Sequence, residues 1–299
     1  MERRGKKKIL IAFDGSFHAH ESVRYVAAIP AFRQMEIVLF NVFQKIPDCY
    51  YDLEMATPLA SRIKEIHAWE AQEEHNIGQA LQQARQCFLE AGAPGDRVRI
   101  VHQERQKGIA RDIAAESKQG YAAVVVGRKG VSRVRDLVMG SVSAKLLERL
   151  THLPLIVVGR ASSSDRVLIA VDPSEGAMRA VSFAARSLGT SDCRFTLASV
   201  IRGDGEGCVD VLREKVNQTF DDAAARLTRV GVDPERISTR MISGARSRAA
   251  VLVQKADQGG FGTIVVGRRG LSRVRDFFIG RVSNKVMQLV RDQAVWVVS

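Results

Sequence analysis

Two aspartates, six glycines and a set of serines recur in this sequence at spacings that suit an anionic ligand. Gly127, Gly130 and Gly140 form the pattern Gly-x2-Gly-x9-Gly, and Gly267, Gly270 and Gly280 form it again. Glycine at the first two positions permits turns and close backbone approach that a Cβ would block. Gly140 precedes Ser141-Val142-Ser143-Ala-Lys-Leu-Leu, which reads as a helix start. The first-turn amides of a helix have no intrahelical partner and lie at its positive dipole end. With the hydroxyls of Ser141 and Ser143 they make a site suited to phosphate. Asp14 and Asp172 each close an apolar run. A carboxylate there can accept hydrogen bonds from ribose hydroxyls or help to hold a metal–phosphate complex. The plainer alternative is a turn glycine followed by a Gly-Ser helix cap. Two copies, each with an upstream aspartate, favour the ligand reading.

The copies differ at one position. Arg281 stands where the first copy has Ser141. A cation in the first turn of a helix is unfavourable unless an anion compensates it. Arg281 therefore either grips a bound phosphate or fills the phosphate pocket and leaves it empty, and the second outcome is the one expected. The motif loops are also basic: Arg128, Lys129, Arg133 and Arg135 recur as Arg268, Arg269, Arg273 and Arg275. They read as a field that attracts polyphosphate, or as solvated side chains with local pairs such as Arg135–Asp136.

These residues need a scaffold, and the sequence supplies it twice. Gly127–Asp136 and Gly267–Asp276 agree at eight of ten positions, at an offset of 140. Lys8-Ile-Leu-Ile-Ala12-Phe-Asp14 resembles Arg166-Val-Leu-Ile-Ala-Val-Asp172 at an offset of 158. The difference of 18 means that the first repeat carries an extra loop or a longer helix. Two matched blocks in one order indicate a duplicated domain. The polar stretch Gly159–Ser164 separates the copies, giving domains at 1–160 and 165–299.

Each copy alternates short continuous apolar runs with helical stretches. In the first, strands are expected at Ile9–Phe13, Val38–Phe43, Val98–Val101, Ala123–Val126 and Leu155–Val158. Helices are expected at Ser16–Ala31, roughly Leu59–Ala91, Ile109–Lys118 and Ser141–Leu150. The second gives strands near Val167–Val171, Thr196–Ile201, Ile237–Ile242, Thr263–Val266 and Val295–Val298. Continuous apolar strands alternating with helices imply an α/β fold with two tandem, doubly wound, parallel five-stranded sheets. Such sheets bind ligands outside the carboxyl ends of their strands, where Asp14 and Gly127 both stand.

Composition sets outer bounds. The chain has 299 residues, 45% hydrophobic and 26% charged, with a net charge of +12 and a pI near 9.9. That balance favours phosphate-bearing partners. Without a helix-turn-helix, zinc finger or aromatic-rich RNA motif, nucleic acid is not the expected partner. No apolar stretch is long enough to span a bilayer. The run after the basic start is too short for the core of a signal peptide, so the protein is expected in the cytoplasm with no membrane partner. Cys49, Cys87, Cys193 and Cys208 form no C-x-x-C pair and read as reduced thiols. All six histidines lie in the first repeat, at spacings that match no metal motif. No P-loop and no G-x-S-x-G elbow occurs. Gly203–Gly207 reads as a connector. No general base or nucleophile accompanies the glycine motif, so catalysis is expected to be slow ATP hydrolysis at most.

Gly127-x2-Gly130-x9-Gly140-Ser141 is similar to the ATP-binding signature of universal stress proteins. Asp14-Gly-Ser16, the Val-Val-Val-Gly127 strand end and Leu153-Pro-Leu-Ile-Val-Val158 also resemble that family, over nearly the whole chain. The resemblance implies an adenine nucleotide alpha hydrolase-like fold with strand order 3-2-1-4-5. It also implies ATP or a related adenine nucleotide as ligand, with or without Mg. Asp14 would contact ribose and the backbone around Val42 adenine. Gly127, Gly130, Gly140, Ser141 and Ser143 would hold phosphates, with Ala12, Arg128 and Val142 as further contacts. Asp172, Val200, Gly267, Gly270, Gly280, Arg281 and Ser283 are the matching positions of the second repeat, read as degenerate. The resemblance implies a stress-response or signalling module. The alternatives are a dimeric scaffold that binds no nucleotide or, with a catalytic motif not seen here, an adenylyl- or phosphoryl-transfer enzyme. In this family the fifth strand commonly pairs with that of a partner domain. Leu155–Val158 and Val295–Val298 would then pair within one chain as an internal pseudo-dimer, with a homodimer of chains left open.

Overall fold

The computed structural model describes residues 7–45, 60–130, 139–160, 162–201, 206–243, 245–270 and 279–299. Arg133, Arg135, Asp136, Arg273, Arg275 and Gly203–Gly205 lie outside the described residues. The first repeat runs β1 (Lys8–Ala12), α1 (Phe17–Ala28), α2 (Pro30–Arg33), β2 (Glu36–Phe43), α3 (Ala60–Glu90), β3 (Val98–Glu104), α4 (Ile109–Glu116), β4 (Tyr121–Gly127), α5 (Ser141–Arg149) and β5 (Leu155–Val158). The second runs β6 (Arg166–Ala170), α6 (Glu175–Leu188), β7 (Arg194–Val200), α7 (Glu206–Thr228), β8 (Ile237–Ile242), α8 (Arg248–Gln258), β9 (Thr263–Gly267), α9 (Arg281–Leu289) and β10 (Ala294–Val298).

All ten strands form one sheet in the order β3-β2-β1-β4-β5-β10-β9-β6-β7-β8. Within each repeat the strands are parallel and follow 3-2-1-4-5. Helices α1, α2, α3, α6 and α7 cover one face of the sheet and α4, α5, α8 and α9 the other, each over its own apolar layer. Burial on both faces is why the central strands read as unbroken apolar runs. The edge strand β3 is only partly covered, so its polar end, His102–Glu104, escapes a hydrophobicity count and the strand runs three residues longer than expected.

The expected helix Ser16–Ala31 is two elements. α1 ends at Ala28, and Pro30 starts a separate short turn. Proline at the first helical position is favourable, but the residue before it is pushed out of the helical region; Ile29 is extended, with φ −95° and ψ 109°. The length difference between the repeats lies partly in α3, which has 31 residues against 23 in α7. No described helix is long and apolar enough to cross a membrane.

The repeats meet along β5 and β10, the one antiparallel pairing among the described residues, with Trp296 opposite Ile156. Trp296 is fully buried. It stacks on Phe32 at 5.8 Å and meets Phe183 edge-on at 5.4 Å. Its indole N–H donates to the Tyr25 hydroxyl at 2.9 Å. That hydroxyl bonds Thr263 Oγ1 at 2.7 Å, and Thr263 donates onward to the Ser163 carbonyl. The seam is thus an apolar core threaded by a satisfied hydrogen-bond chain, with α2 packed against α6.

Each strand end must hold its following loop. Asp112 in α4 is 5% exposed and accepts from the backbone N–H groups of Gln106, Lys107 and Gly108 at 3.0, 3.0 and 3.3 Å. It folds the preceding turn, where Gly108 has φ +133°, onto the helix it starts. Asp112→Ala removes the acceptor for three donors and is expected to cost about 1–3 kcal/mol. Equilibrium urea unfolding measures this. A loss below about 0.5 kcal/mol would show that water replaces the carboxylate.

Candidate functional site

The strands are added outward from β1 on one side and then from β4 on the other, so the connections leave the parallel neighbours β1 and β4 in opposite directions and their carboxyl ends open a crevice. β1 delivers Asp14, and β4 delivers Gly127. A Cβ on Gly127 would lie 2.8 Å from the backbone of His18 in α1. A Cβ on Gly130 would lie 2.5 Å from Asp14 Oδ2. Only glycine lets the motif loop run this close to both the helix and the carboxylate. Gly140 then closes the loop, its N–H donating to the Arg128 carbonyl at 2.7 Å. Ser143 Oγ donates to the Gly127 carbonyl at 2.8 Å, which ties the first turn of α5 to the end of β4.

The two helices at this crevice start differently. α1 is capped by Ser16, whose hydroxyl accepts from Ala19 N–H at 3.2 Å. α5 starts at Gly140 with no side-chain cap. An uncapped helix start that faces a crevice presents its amides to a ligand. Asp14 Oδ1 accepts from Ser16 N–H at 3.1 Å, and Ser16 Oγ reaches the Lys129 carbonyl at 3.4 Å. One serine thus connects the carboxylate, α1 and the motif loop.

A cavity of about 970 Å³ lies over this arrangement. Every first-repeat candidate except Arg128 lines it: Ala12, Asp14, Val42, Gly127, Gly130 and Gly140, then Ser141, Val142 and Ser143. Its volume falls at the upper end of the range usual for small-molecule sites. Beyond the sequence expectations, Ile109 and Ile113 of α4 and Trp69 and Ile77 of α3 complete its walls. Phe43 and His102 stack at 4.2 Å with 12° between their rings beside Val42. Lys129 also lines it. The first half of α3 shows no sequence signal for this role, because a helix face becomes a cavity wall only through tertiary packing.

Local electrostatics favour an anion. His18 is held below its usual pKa first by burial and then by Lys129, Arg160 and Arg128, with Asp14 acting in the opposite sense. Near pH 7 it is therefore neutral, in a neighbourhood whose charge is mainly positive.

Arg128 occupies a different place from the one its motif position suggested. It is 1% exposed, and Nη1 donates to the Met287 carbonyl in α9 at 3.0 Å. Its counterpart Arg268 is 4% exposed. Arg268 donates to the Leu150 carbonyl at 2.8 Å and to the Leu147 carbonyl, with Glu148 at 3.5 Å. Both guanidinium groups are pushed down to about 10 by burial and stay charged near neutral pH.

The second repeat copies the framework with changes. Gly280 N–H donates to the Arg268 carbonyl at 2.8 Å, and Ser283 Oγ to the Gly267 carbonyl at 2.6 Å. A Cβ on Gly270 would lie 2.7 Å from Asp172 Oδ2. Asp172 Oδ1 accepts from both the amide and the hydroxyl of Ser174, whereas the Ser16 hydroxyl reaches the motif loop instead. Val200 is half-buried in the apolar layer below the strand end. Arg281 opens α9 and is exposed.

Comparisons with known proteins agree with this architecture. The family model described as "Universal stress protein family" matches residues 6–159 and again 163–298. A universal stress protein structure from Archaeoglobus fulgidus superposes with a TM-score of 0.67 at 19% identity, covering 99% of each chain. A putative universal stress protein from Pseudomonas aeruginosa gives 0.59 at 13% identity, covering 98% of this chain and 93% of that one. At these identities the likeness concerns the fold. No curated protein sequence matches the chain significantly.

Proposed function

The chain belongs to the universal stress protein family as a tandem of two such domains, and from that premise we propose that it binds ATP or a related adenine nucleotide through its first repeat. One observation carries the proposal. The cavity gathers the strand-end aspartate, all three glycines and the uncapped start of α5 in a single lining. The flat Phe43–His102 face and Ile109 suit a base. Asp14 suits a ribose, as acceptor of its hydroxyl protons. The amides of Ser141 to Ser143, with Lys129 beside them, suit phosphates, and a Mg ion would travel with the polyphosphate.

No nucleophile–base pair accompanies these groups among the described residues, so nucleotide acts as a conformational ligand that shifts populations. The second repeat is the degenerate copy. Its helix starts on the cation Arg281, where the first repeat has Ser141. Membership of the family supports a stress-response or signalling output as the reading of its role.

Freshly purified protein, denatured and examined by mass spectrometry, is expected to release an adenine nucleotide. Calorimetric titration of emptied protein with MgATP is expected to give a stoichiometry near one per chain. Two ATP per chain, with Arg281→Ser changing nothing, would overturn the inequality of the repeats. Neither release nor binding of any adenine nucleotide would overturn the nucleotide reading and leave a scaffold.

A further inference from the structure

Arg128 and Arg268 sit in the motif loops, yet each side chain crosses the seam. We infer that they are positioning residues that couple the two repeats, so that a ligand bound at the first motif loop is felt at α9. The inference rests on the nucleotide reading above.

The geometry forms a closed circuit. The Arg128 backbone carbonyl accepts from Gly140 N–H and so holds the start of α5. Its side chain donates to the Met287 carbonyl and so holds the end of α9. The Arg268 carbonyl holds the start of α9 through Gly280 N–H. Its side chain holds the end of α5 through Leu147, Glu148 and Leu150. Each of these helices is therefore gripped at one end by one arginine's backbone and at the other end by the other arginine's side chain.

The chemistry explains the choice of residue. The last carbonyls of a helix lack intrahelical partners and carry the negative end of the dipole. A guanidinium is a rigid planar fork that can serve several of them at once. The same residue in both motifs, at an offset of 140, then follows from the pseudo-two-fold seam without any need for a phosphate. A helix of nine residues is about 13 Å long and transmits displacement at one end to the other.

The circuit is not balanced. Among the described residues Arg268 reaches three carbonyls, whereas Arg128 reaches one, and its Nε and Nη2 have no acceptor there although they are buried. A buried donor left unpaired is costly. The Arg128 arm is therefore the half-engaged one. A polyphosphate that draws the Gly127–Gly130 backbone towards the start of α5 would bring the Arg128 side chain onto further carbonyls at the end of α9. Coupling of this kind is reciprocal in free energy: whatever tightens α9 strengthens ligand binding in the first repeat.

Hydrogen–deuterium exchange on the full chain, with and without saturating MgATP, tests this. In the wild type, ATP is expected to slow exchange in Ser141–Leu146 and, across the seam, in Leu289–Gln293. In Arg128→Met, which keeps the buried length without the donors, the response at Ser141–Leu146 is expected to persist and the one across the seam to vanish. Arg128→Lys, which restores one donor, is expected to recover part of it; this variant also serves if the methionine chain fails to fold. A wild-type response confined to Ser141–Leu146, or a remote response that all variants share, would overturn the coupling and leave nucleotide binding intact. The absence of any ATP response or binding in the wild type would overturn the nucleotide reading and the coupling with it.

Discussion

Gly130→Val is expected to abolish measurable ATP binding while the protein remains folded. A Cβ at this position would sit 2.5 Å from Asp14 Oδ2, so the carboxylate must turn away. Valine adds two methyl groups on the same side, at the mouth of the cavity. The variant thus loses the proposed ribose acceptor and blocks the turn that brings backbone amides to the phosphates. Losing two hydrogen bonds to charged or polar ligand groups, at about 1.5–3 kcal/mol each, weakens binding by about two orders of magnitude or more. The fold should survive, because the nearest atom belongs to a side chain at a cavity rim and not to packed backbone. Gly127 is the contrasting position: there the clash is with the main chain of α1. Titration with MgATP, beside an unfolding curve of the same preparation, separates the two effects. Affinity within threefold of wild type would move the ligand elsewhere.

Trp296→Ala is expected to be the most damaging single truncation in the seam. The indole is wholly buried and fills the space between Phe32 of the first repeat and Phe183 of the second. Replacing a buried tryptophan by alanine costs about 3–5 kcal/mol through lost transfer energy and the cavity left behind. The Tyr25 hydroxyl also loses its donor. Because the side chain lies between the repeats, unfolding is expected to become less cooperative as well as earlier, with the two repeats melting in separate steps. Calorimetry and denaturant titration followed by two probes would show this. A single coincident transition shifted by less than about 1 kcal/mol would mean that the seam is held mainly by backbone pairing.

Much of this was legible in the residues. Strand-end logic placed Asp14 and Gly127 beside each other, and the start of α5 after Gly140 was read from the residues that follow it, whereas the absence of a side-chain cap there was not. Continuous apolar runs marked the central strands, because both faces of the sheet are covered. The runs marked β3 less well, since an edge strand needs no apolar end. Arg128 was legible as a cation that wants an acceptor, but a phosphate and a helix C-terminus offer that cation the same chemistry. Only the burial of its side chain and its bond to Met287 distinguish them, and both depend on where the second repeat docks. The α3 wall of the cavity lay outside sequence reasoning for a similar reason. Trp69 and Ile77 show a helical pattern, which does not say what the helix faces.

Ile156 and Trp296 are the same position in the two copies, and they face each other across the seam. In a symmetric dimer of identical chains, a residue on the two-fold axis meets itself. A tryptophan there would confront a second tryptophan, and any change would arrive twice. Gene fusion removes that restriction. One copy can keep a small aliphatic side chain while the other grows to fill the gap, so the pair can evolve as lock and key. The same freedom lets one glycine motif keep Ser141 while the other acquires Arg281. The proposed division of labour between the repeats draws on the same freedom from two-fold identity that lets Ile156 face Trp296.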